Sequence, residues 1–227
     1  MRDPNLVLLG EAAGKLRPLL DEIVFVGGAT LGLLITDPAS APIRATIDID
    51  VIAEITSYAA YVTMSERLRA LGFAEDPELT CRWRHEALVV DVMPSEGAVL
   101  GFTNIWYKDA LRDAIRFALP GGESIRLIRA PYFLGTKMEA FRGRGRRDYL
   151  TSHDLEDFVA VIEGRESIAA EVRESPLHLR QYLAHSAAML LQEDAFLDVL
   201  PGFVVDQGRT PFVLDRLRAI ASVPVNE

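Results

Sequence analysis

The sequence predicts an α/β (α+β) fold, with strands and helices up to about residue 130 and helices alone after it. A short apolar run over residues 23–26 ends at two glycines, which is typical of a buried strand followed by a tight turn. Residues 47–55 alternate apolar and polar side chains, as a strand does. From Pro131 onward the apolar residues recur at helical spacing. We therefore predict an α/β domain over residues 1–130 and a helical C-terminal domain over residues 131–227.

The other elements follow from the same two periodicities and from the residues that end them. Helices are expected where apolar positions recur every three or four residues and a glycine or proline follows. Strands are expected where apolar and polar residues alternate. The predicted helices are residues 5–20, 29–36, 58–71, 132–142, 152–163 and 176–198, with a break at Pro201-Gly202; the predicted strands are residues 23–26, 47–55 and 124–128 and a hairpin over 81–93.

The net charge limits how the chain can bind nucleic acid. It has 33 acidic and 24 basic residues, a formal charge of −9, whereas proteins that bind polyanions over their whole surface are usually basic. Binding of nucleic acid would therefore need a local basic patch. An arginine-rich segment can bind nucleic acid or form a solvated turn after a helix, and both interpretations stay open for the candidate here. The dense candidate is Arg142, Arg144, Arg146 and Arg147, with Lys137 upstream.

Cysteine usage and hydropathy exclude other classes. Cys81 is the only cysteine, so an intramolecular disulfide and a cysteine-based zinc site are both excluded. No apolar run of about 18 residues is present to span a membrane. The N-terminal residues lack the charged segment and apolar run of a signal peptide. We expect a cytoplasmic protein without a membrane partner.

Two aspartates in the predicted strand 47–55 are the first candidates for chemistry. Asp48 and Asp50 would point to the same side, with Cα atoms about 6.5–7 Å apart. Carboxylates at this spacing can hold the divalent cations of phosphoryl-type transfer, with Mg²⁺ or Mn²⁺ as the expected ion. Asp91 interrupts the apolar strand of the hairpin and is a candidate third ligand. Such aspartates can also mark the solvated face of a sheet, but aspartate is depleted in strands, which favours a metal site.

Gly27 and Gly28 follow one predicted strand and precede a predicted helix. Glycines let the backbone approach a phosphate, and free N–H groups at a helix start attract anions. The pattern lacks the Gly-Lys-Ser/Thr of a Walker A loop and the Gly-x-Gly-x-x-Gly of dinucleotide folds. An ordinary strand-to-helix turn remains the alternative.

These motifs together resemble a known superfamily. Val26-Gly27-Gly28 followed by Thr46-Ile47-Asp48-Ile49-Asp50 resembles the signature of the nucleotidyltransferases, with Asp91 in the place of the third carboxylate. The segments Lys137-Met138-Glu139-Ala140 and Ser152 to Asp157 narrow the resemblance to AbiEii/MenT-type enzymes, the toxins of type IV toxin–antitoxin systems and their relatives. The resemblance covers about residues 23–165.

The resemblance implies a nucleotidyltransferase-type mixed sheet followed by a helical lobe, and it implies roles for individual residues. Asp48 and Asp50 would be metal ligands. Lys137 would contact the NTP phosphates, and Asp154 would be a further functional acid in the helical part. Asp91 would be a metal ligand, the base for the incoming hydroxyl, or a structural residue.

Several of these residues also have ordinary structural interpretations. Lys137 fits a solvated helix position, and Asp154 fits a capping box with Thr151. Arg44, four residues before Asp48, would reach a phosphate or lie exposed in a loop. The same two alternatives apply to the arginines that flank Trp83, which are Arg82 and Arg84.

The sequence therefore predicts a Mg²⁺-dependent nucleotidyltransferase that moves NMP from an NTP to an acceptor. The acceptor expected from the resemblance is tRNA, and the expected partner is a cognate antitoxin. One alternative is a small-molecule nucleotidyltransferase of the aminoglycoside-modifying kind, which the acidic net charge favours. The other is a nucleotide-binding regulatory protein without catalytic activity.

Overall fold

The computed structural model describes residues 3–97, 99–101, 103–144 and 148–224, with the backbone alone at Arg144. The fold is α/β, as the sequence predicts, with a seven-stranded mixed sheet and ten α-helices in the described residues. By internal contacts the chain divides into two units. The first comprises Met1–Gly32 and Arg44–Arg129, and the second comprises Leu33–Ile43 and Ala130–Glu227.

The part of the chain before residue 130 contains all strands of the described sheet. Short 3-10 turns at Arg17–Leu19 and Gly28–Thr30 separate some of its elements. In chain order the elements are α1 (Leu6–Lys15), β1 (Ile23–Val26), α2 (Leu31–Leu34), β2 (Ile49–Ala53), α3 (Tyr58–Ala70), β3 (Ala74–Glu75), β4 (Arg82–His85), β5 (Leu88–Pro94), α4 (Tyr107–Arg112), β6 (Ile115–Ala118) and β7 (Ser124–Leu127).

The sheet has the order β3-β4-β5-β2-β1-β7-β6. The pairs β2/β5 and β1/β7 are parallel, while β1/β2, β3/β4, β4/β5 and β6/β7 are antiparallel. All four residues of β1 are buried, and so are those of β2 except Asp50. Strands buried on both faces are apolar throughout, so a half-buried aspartate in the second strand is an exception that calls for a partner.

The second unit is helical. Its helices after residue 129 pack around fully buried aromatic side chains, among them Phe133, Phe158 and Phe196. None of the helices in the described part of the chain combines the length and hydropathy of a transmembrane helix. The elements are α5 (Ala130–Arg144), α6 (His153–Gly164), α7 (Ile168–Glu174), α8 (Leu177–Leu191), α9 (Asp194–Phe203), a 3-10 turn at Gln207–Arg209, and α10 (Thr210–Ala221).

Residues 33–43 belong to the helical unit, although the sequence analysis placed them in the first domain. The backbone N–H groups of Thr36 and Asp37 both donate to the carbonyl oxygen of Gly164, at 2.9 Å each. The guanidinium of Arg165 donates to the carbonyl of Leu34 at 2.7 Å. The first two bonds satisfy the carbonyl of Gly164 at the C-terminal end of α6, which would otherwise lack a partner within the helix.

The predicted strand 47–55 is shorter in the structure. It begins at Ile49, so Asp48 lies just before β2. Ile47 was expected on the apolar face with Ile49 and Val51, but its side chain is 82% exposed while theirs are fully buried. The alternation therefore holds only from the point where pairing with the neighbouring strands starts.

Two helix predictions also need correction. The predicted helix 29–36 is a 3-10 turn followed by the four-residue α2, because Thr36 and Asp37 donate to Gly164 instead of continuing a helix. The predicted helix 176–198 is two helices, α8 and α9, separated by an extended residue at Glu193. The predicted break at Pro201 is wrong, since α9 continues to Phe203. A proline this close to a helix end removes only one of the last hydrogen bonds.

Candidate functional site

Two predicted site residues of the first unit, Asp50 and Asp91, lie in one row with Val26 and Arg82 across four strands. Val26 of β1 pairs with Asp50 of β2, Asp50 with Asp91 of β5, and Asp91 with Arg82 of β4. Directly paired residues in a sheet point to the same face. The row therefore places the carboxylates of Asp50 and Asp91 and the guanidinium of Arg82 on one face.

Asp50 lies directly over Gly27, the residue that follows β1. A Cβ atom at position 27 would stand 1.9 Å from Oδ2 and 2.7 Å from Cγ of Asp50. Gly27 also has φ 70° and ψ −172°, a conformation that is essentially restricted to glycine. The glycine is thus required both for its backbone conformation and for the space that the Asp50 carboxylate occupies.

The turn after Gly27 is fixed by Thr30, which the sequence analysis did not single out. Its hydroxyl donates to the carbonyl of Gly27 at 2.9 Å, and its backbone N–H donates to the same oxygen at 3.1 Å. Thr30 is fully buried. The helical segments that follow Gly27 have only three and four residues, so the turn lacks the N-terminus of the longer helix predicted over residues 29–36.

Asp48 is held by two different partners. Its Oδ1 accepts from the Thr46 hydroxyl at 2.9 Å, and its Oδ2 accepts from Arg82 Nη2 at 2.9 Å. The loop before it is anchored by Asn5, which is 1% exposed and whose amide group bonds the carbonyl of Arg44 at 3.1 Å and the N–H of Thr46 at 2.9 Å. The alternation of Asp48 and Asp50 predicts the carboxylates but not the anchor of this loop, since Asn5 is 41 positions from Thr46 in the sequence.

Arg82 connects Asp48 with Asp91. Its Nε donates to Asp91 Oδ1 at 2.8 Å, and its Nη2 donates to Asp91 Oδ2 at 2.8 Å as well as to Asp48. The hydrogen bonds that Arg82 donates to Asp91, followed by the negative charges of Asp91 and Asp48, raise the pKa of the Arg82 guanidinium above its ordinary value. Both oxygens of Asp91, which is 8% exposed, are thus engaged by one arginine.

The other predicted residues of this unit lie away from the row or at its margin. Arg84 pairs with Asp76 at 2.6 Å, so the two arginines that flank Trp83 have separate partners. Arg44 is exposed. Burial, followed by the charge of Asp91, raises the pKa of the Cys81 thiol.

In the helical unit, Lys137 of α5 lies between two acids of α6. Its Nζ is 3.2 Å from Asp154 Oδ1 and 2.7 Å from Asp157 Oδ2. It also lies 5.6 Å from the centre of the Phe133 ring, a favourable position for a cation. The lysine side chain is 12% exposed, so the interpretation of Lys137 as a solvated helix residue does not hold.

Asp157 is the functional candidate that the sequence analysis missed in this unit. Its side chain is 1% exposed, whereas that of Asp154 is 19% exposed. A signal was present, because Asp157 falls among the apolar positions of α6, and a buried acid there requires a cation. Asp154 lies in the first turn of α6, but the cap is Ser152, whose hydroxyl accepts from the N–H of Leu155, so the expected capping box with Thr151 is wrong.

The predicted basic cluster is described only at Arg142. Its guanidinium lies 5.0 Å from the ring centre of Tyr182 and donates to the Ser186 hydroxyl at 3.1 Å. The side chains of the other three arginines of the cluster, Arg144, Arg146 and Arg147, lie outside the described residues. Arg142 also lines a pocket of about 400 Å³ in the helical unit, together with Met138, Phe141, Tyr149, His185, Ser186, Met189, Leu190 and Glu193.

The carboxylates of Asp48 and Asp50 are oxygen donors of the kind that Mg²⁺ and Mn²⁺ prefer. Asp48 and Asp91 contact the same Arg82 nitrogen, and Asp50 shares the face of Asp91, so Asp48 and Asp50 face the same side. Mg²⁺ commonly takes one or two carboxylates and completes its shell with water and phosphate oxygens. Within the described ranges, no group of three or more His, Cys, Asp or Glu side chains is arranged to hold a metal ion.

Comparisons with known proteins give distant similarities in structure alone. No protein-family model matches the sequence. No curated protein sequence matches it. An antigenic nucleotidyltransferase-like protein from Paracoccidioides brasiliensis is 17% identical, with 70% of this chain and 76% of that chain covered and a TM-score of 0.45. The protein JHP933 from Helicobacter pylori is 11% identical, with 94% of this chain and 91% of that chain covered and a TM-score of 0.47.

Proposed function

We propose that this chain is a nucleotidyltransferase that transfers NMP from an NTP to an acceptor hydroxyl with Mg²⁺ or Mn²⁺. The observation that carries the proposal is that Asp48, just before β2, and Asp50 of β2 face the same side, with the Asp50 carboxylate filling the space over Gly27. Paired carboxylates beside a close backbone turn are suited to a metal-bound triphosphate.

In the proposed reaction, Asp48 and Asp50 hold the divalent cation, and Gly27 leaves the space that Asp50 needs. The acceptor hydroxyl loses its proton to solvent and its oxygen forms a bond to the α-phosphorus, while the bond from that phosphorus to the oxygen that bridges to the β-phosphorus breaks and pyrophosphate leaves with that oxygen. A bound cation would neutralise the charge that grows on the leaving pyrophosphate.

For the helical unit we propose that Lys137 contacts the NTP phosphates. A compact ammonium group is a common phosphate ligand. Two acids hold this lysine in place, since Asp157 is buried beside it at 2.7 Å and Asp154 is at 3.2 Å. Asp154, which is more exposed than Asp157, keeps the proposed role of a functional acid.

We expect Asp50→Asn to lower NMP transfer by at least about a hundredfold, because the amide removes a charged oxygen ligand at the reacting phosphate. The assay supplies each α-³²P-labelled NTP with Mg²⁺ or Mn²⁺ and measures label on an added acceptor. The matched control is Asp76→Asn, which removes an acid that pairs with Arg84 outside the row. Control activity should stay within about twofold of the unchanged protein, because the change lies outside the row and the amide keeps an oxygen that can accept from the N–H groups of Glu78 and Leu79.

The acceptor arm of the assay separates the alternatives. Total RNA, aminoglycosides and the protein alone are tested in parallel. NTP binding without label on any acceptor, in every metal, would contradict the transferase and support a nucleotide-binding regulatory protein. Equal activity of the Asp50→Asn and Asp76→Asn variants would also contradict the proposed site.

We infer from the sequence resemblance that the acceptor is tRNA and that an antitoxin is the partner. A second candidate, a small hydroxyl compound, is favoured by the net charge of −9, which disfavours a polyanion. Label on purified tRNA, with growth arrest on expression that an adjacent gene relieves, is the result expected for the toxin. Label on aminoglycosides alone contradicts it.

A further inference from the structure

The Arg82 side chain has an unusual place among the ion pairs of the first unit, because it serves two acids at once. It makes a two-pronged contact with Asp91 and a third hydrogen bond to Asp48, at 2.8 to 2.9 Å. Its side chain is only 20% exposed, and those of Asp48 and Asp91 are 26% and 11% exposed. At this degree of burial the contacts are less screened by solvent than those of a surface pair.

The surrounding charges explain why a cation is needed there. Asp50 and Asp91 are directly paired on neighbouring strands, and adjacent strands lie about 4.8 Å apart. Like charges facing each other across a sheet destabilise it. Asp48 adds a third carboxylate on the same face, so the guanidinium offsets a local excess of negative charge.

A second pair on the same strand provides a comparison. Arg84 is two residues from Arg82, contacts Asp76 at 2.6 Å, and has a side chain that is 51% exposed. That pair joins one acid to one base, and although the Asp76 side chain is only 8% exposed, the exposed arginine leaves the pair open to screening by solvent. The double engagement of Arg82 is therefore a property of its position in the row and not of β4 in general.

We propose that Arg82 is a displaceable counter-cation of the metal site, which neutralises Asp48 and Asp91 when no divalent cation is bound. When the cation binds, Arg82 gives up Asp48 Oδ2 and stays attached to Asp91. The inference rests on the proposed function, since it takes Asp48 and Asp50 as the metal ligands. It also assigns Asp91, whose two oxygens are both engaged, as the anchor of Arg82 and not as the third ligand or the base.

The proposal makes metal binding and the Arg82–Asp48 contact compete. A hydrogen bond between two charged groups contributes about 1.5–3 kcal/mol, which corresponds to roughly a tenfold or greater effect on an equilibrium constant. Arg82→Met should therefore lower the Kd for Mn²⁺ by about tenfold, although it removes a side chain from the site. An arginine that only holds the strands together would give the opposite result, because its loss would loosen the ligands.

The test is a titration of Mn²⁺ into the full chain without nucleotide. The free Mn²⁺ is measured by electron paramagnetic resonance. The melting temperature with and without Mn²⁺ is the second readout. Without metal, the melting temperature of Arg82→Met should be lower than that of the unchanged protein. Mn²⁺ should raise the melting temperature of Arg82→Met more than that of the unchanged protein. Arg84→Met is the matched control and should leave both the Mn²⁺ affinity and the rise in melting temperature unchanged.

Arg82→Lys keeps the test decisive if Arg82→Met does not fold, since lysine keeps the charge but lacks the two-pronged geometry. The Kd of Arg82→Lys for Mn²⁺ should lie between the Kd of the unchanged protein and that of Arg82→Met. If Arg82→Met does not fold, the Kd of Arg82→Lys should lie below that of the unchanged protein. Unchanged or weaker Mn²⁺ binding in a folded Arg82 variant overturns the inference while leaving the proposed function intact. Mn²⁺ binding that Asp48→Asn and Asp50→Asn do not weaken overturns both.

Discussion

Gly27→Ala is expected to lower the free energy of unfolding by about 2–5 kcal/mol and to abolish NMP transfer. The backbone conformation at φ 70° and ψ −172° costs a non-glycine residue about 1–3 kcal/mol. The new Cβ atom would meet Asp50 Oδ2 at 1.9 Å, and overpacking of this kind adds about 1–3 kcal/mol. Urea denaturation measures the first effect, and the labelled-NTP assay measures the second.

Two further variants separate the backbone effect from the contact with Asp50. Gly101 has a similar φ of 76° but nothing within 4 Å of its Cβ position, so Gly101→Ala should cost only about 1–2 kcal/mol and leave transfer intact. In an Asp50→Ala background, the cost of Gly27→Ala should shrink, because the carboxylate that it meets is gone. Equal costs for Gly27→Ala and Gly101→Ala would show that the Asp50 carboxylate does not need the space over Gly27.

Lys137→Met is expected to lower the free energy of unfolding by about 3–5 kcal/mol, because it leaves the buried Asp157 without its cation. The double variant Lys137→Met, Asp157→Leu removes both charges and should recover most of that loss, since apolar residues often replace a buried ion pair without cost. Lys108→Met is the control, because the Lys108–Glu96 pair has side chains that are 51% and 38% exposed. Exposed pairs contribute less than about 1 kcal/mol.

The double variant also distinguishes a functional lysine from a structural one. If Lys137 contacts phosphates, the double variant should be folded and still inactive in the labelled-NTP assay. A stable double variant that transfers NMP at the normal rate would mean that Lys137 serves only to neutralise Asp157. The proposed phosphate contact would then be wrong, whereas the metal site of the first unit would stand.

The parts of the fold that depend on local pattern were predictable from the sequence. The apolar run 23–26, the hairpin around residues 85 and 86 and the helix after Pro131 all carry their signals within a few residues. The pair Asp48 and Asp50 was also found in this way. A charged residue that interrupts an apolar strand is visible without any knowledge of its neighbours in space.

The partners of those residues were not predictable in the same way. That Arg82 reaches both Asp91 and Asp48 depends on the register of β4 against β5 and of β5 against β2, and register is set by the whole sheet. The anchoring of Thr46 by Asn5 joins positions 41 residues apart. Asp157 was different, because its place on the apolar face of α6 could have been read from the helical periodicity alone.

The membership of residues 33–43 in the helical unit has a consequence for biosynthesis. A ribosome makes this segment long before the residues that receive it, since Arg165 is 131 positions after Leu34 and Arg209 is 172 positions after Asp37. Contacts between distant positions slow folding, because the loop must close before the contacts contribute. The helical unit therefore completes its packing only after Arg209 has been synthesised. A fragment that starts at residue 130 would lack residues 33–43, which supply hydrogen-bond partners to Gly164, Arg165 and Arg209.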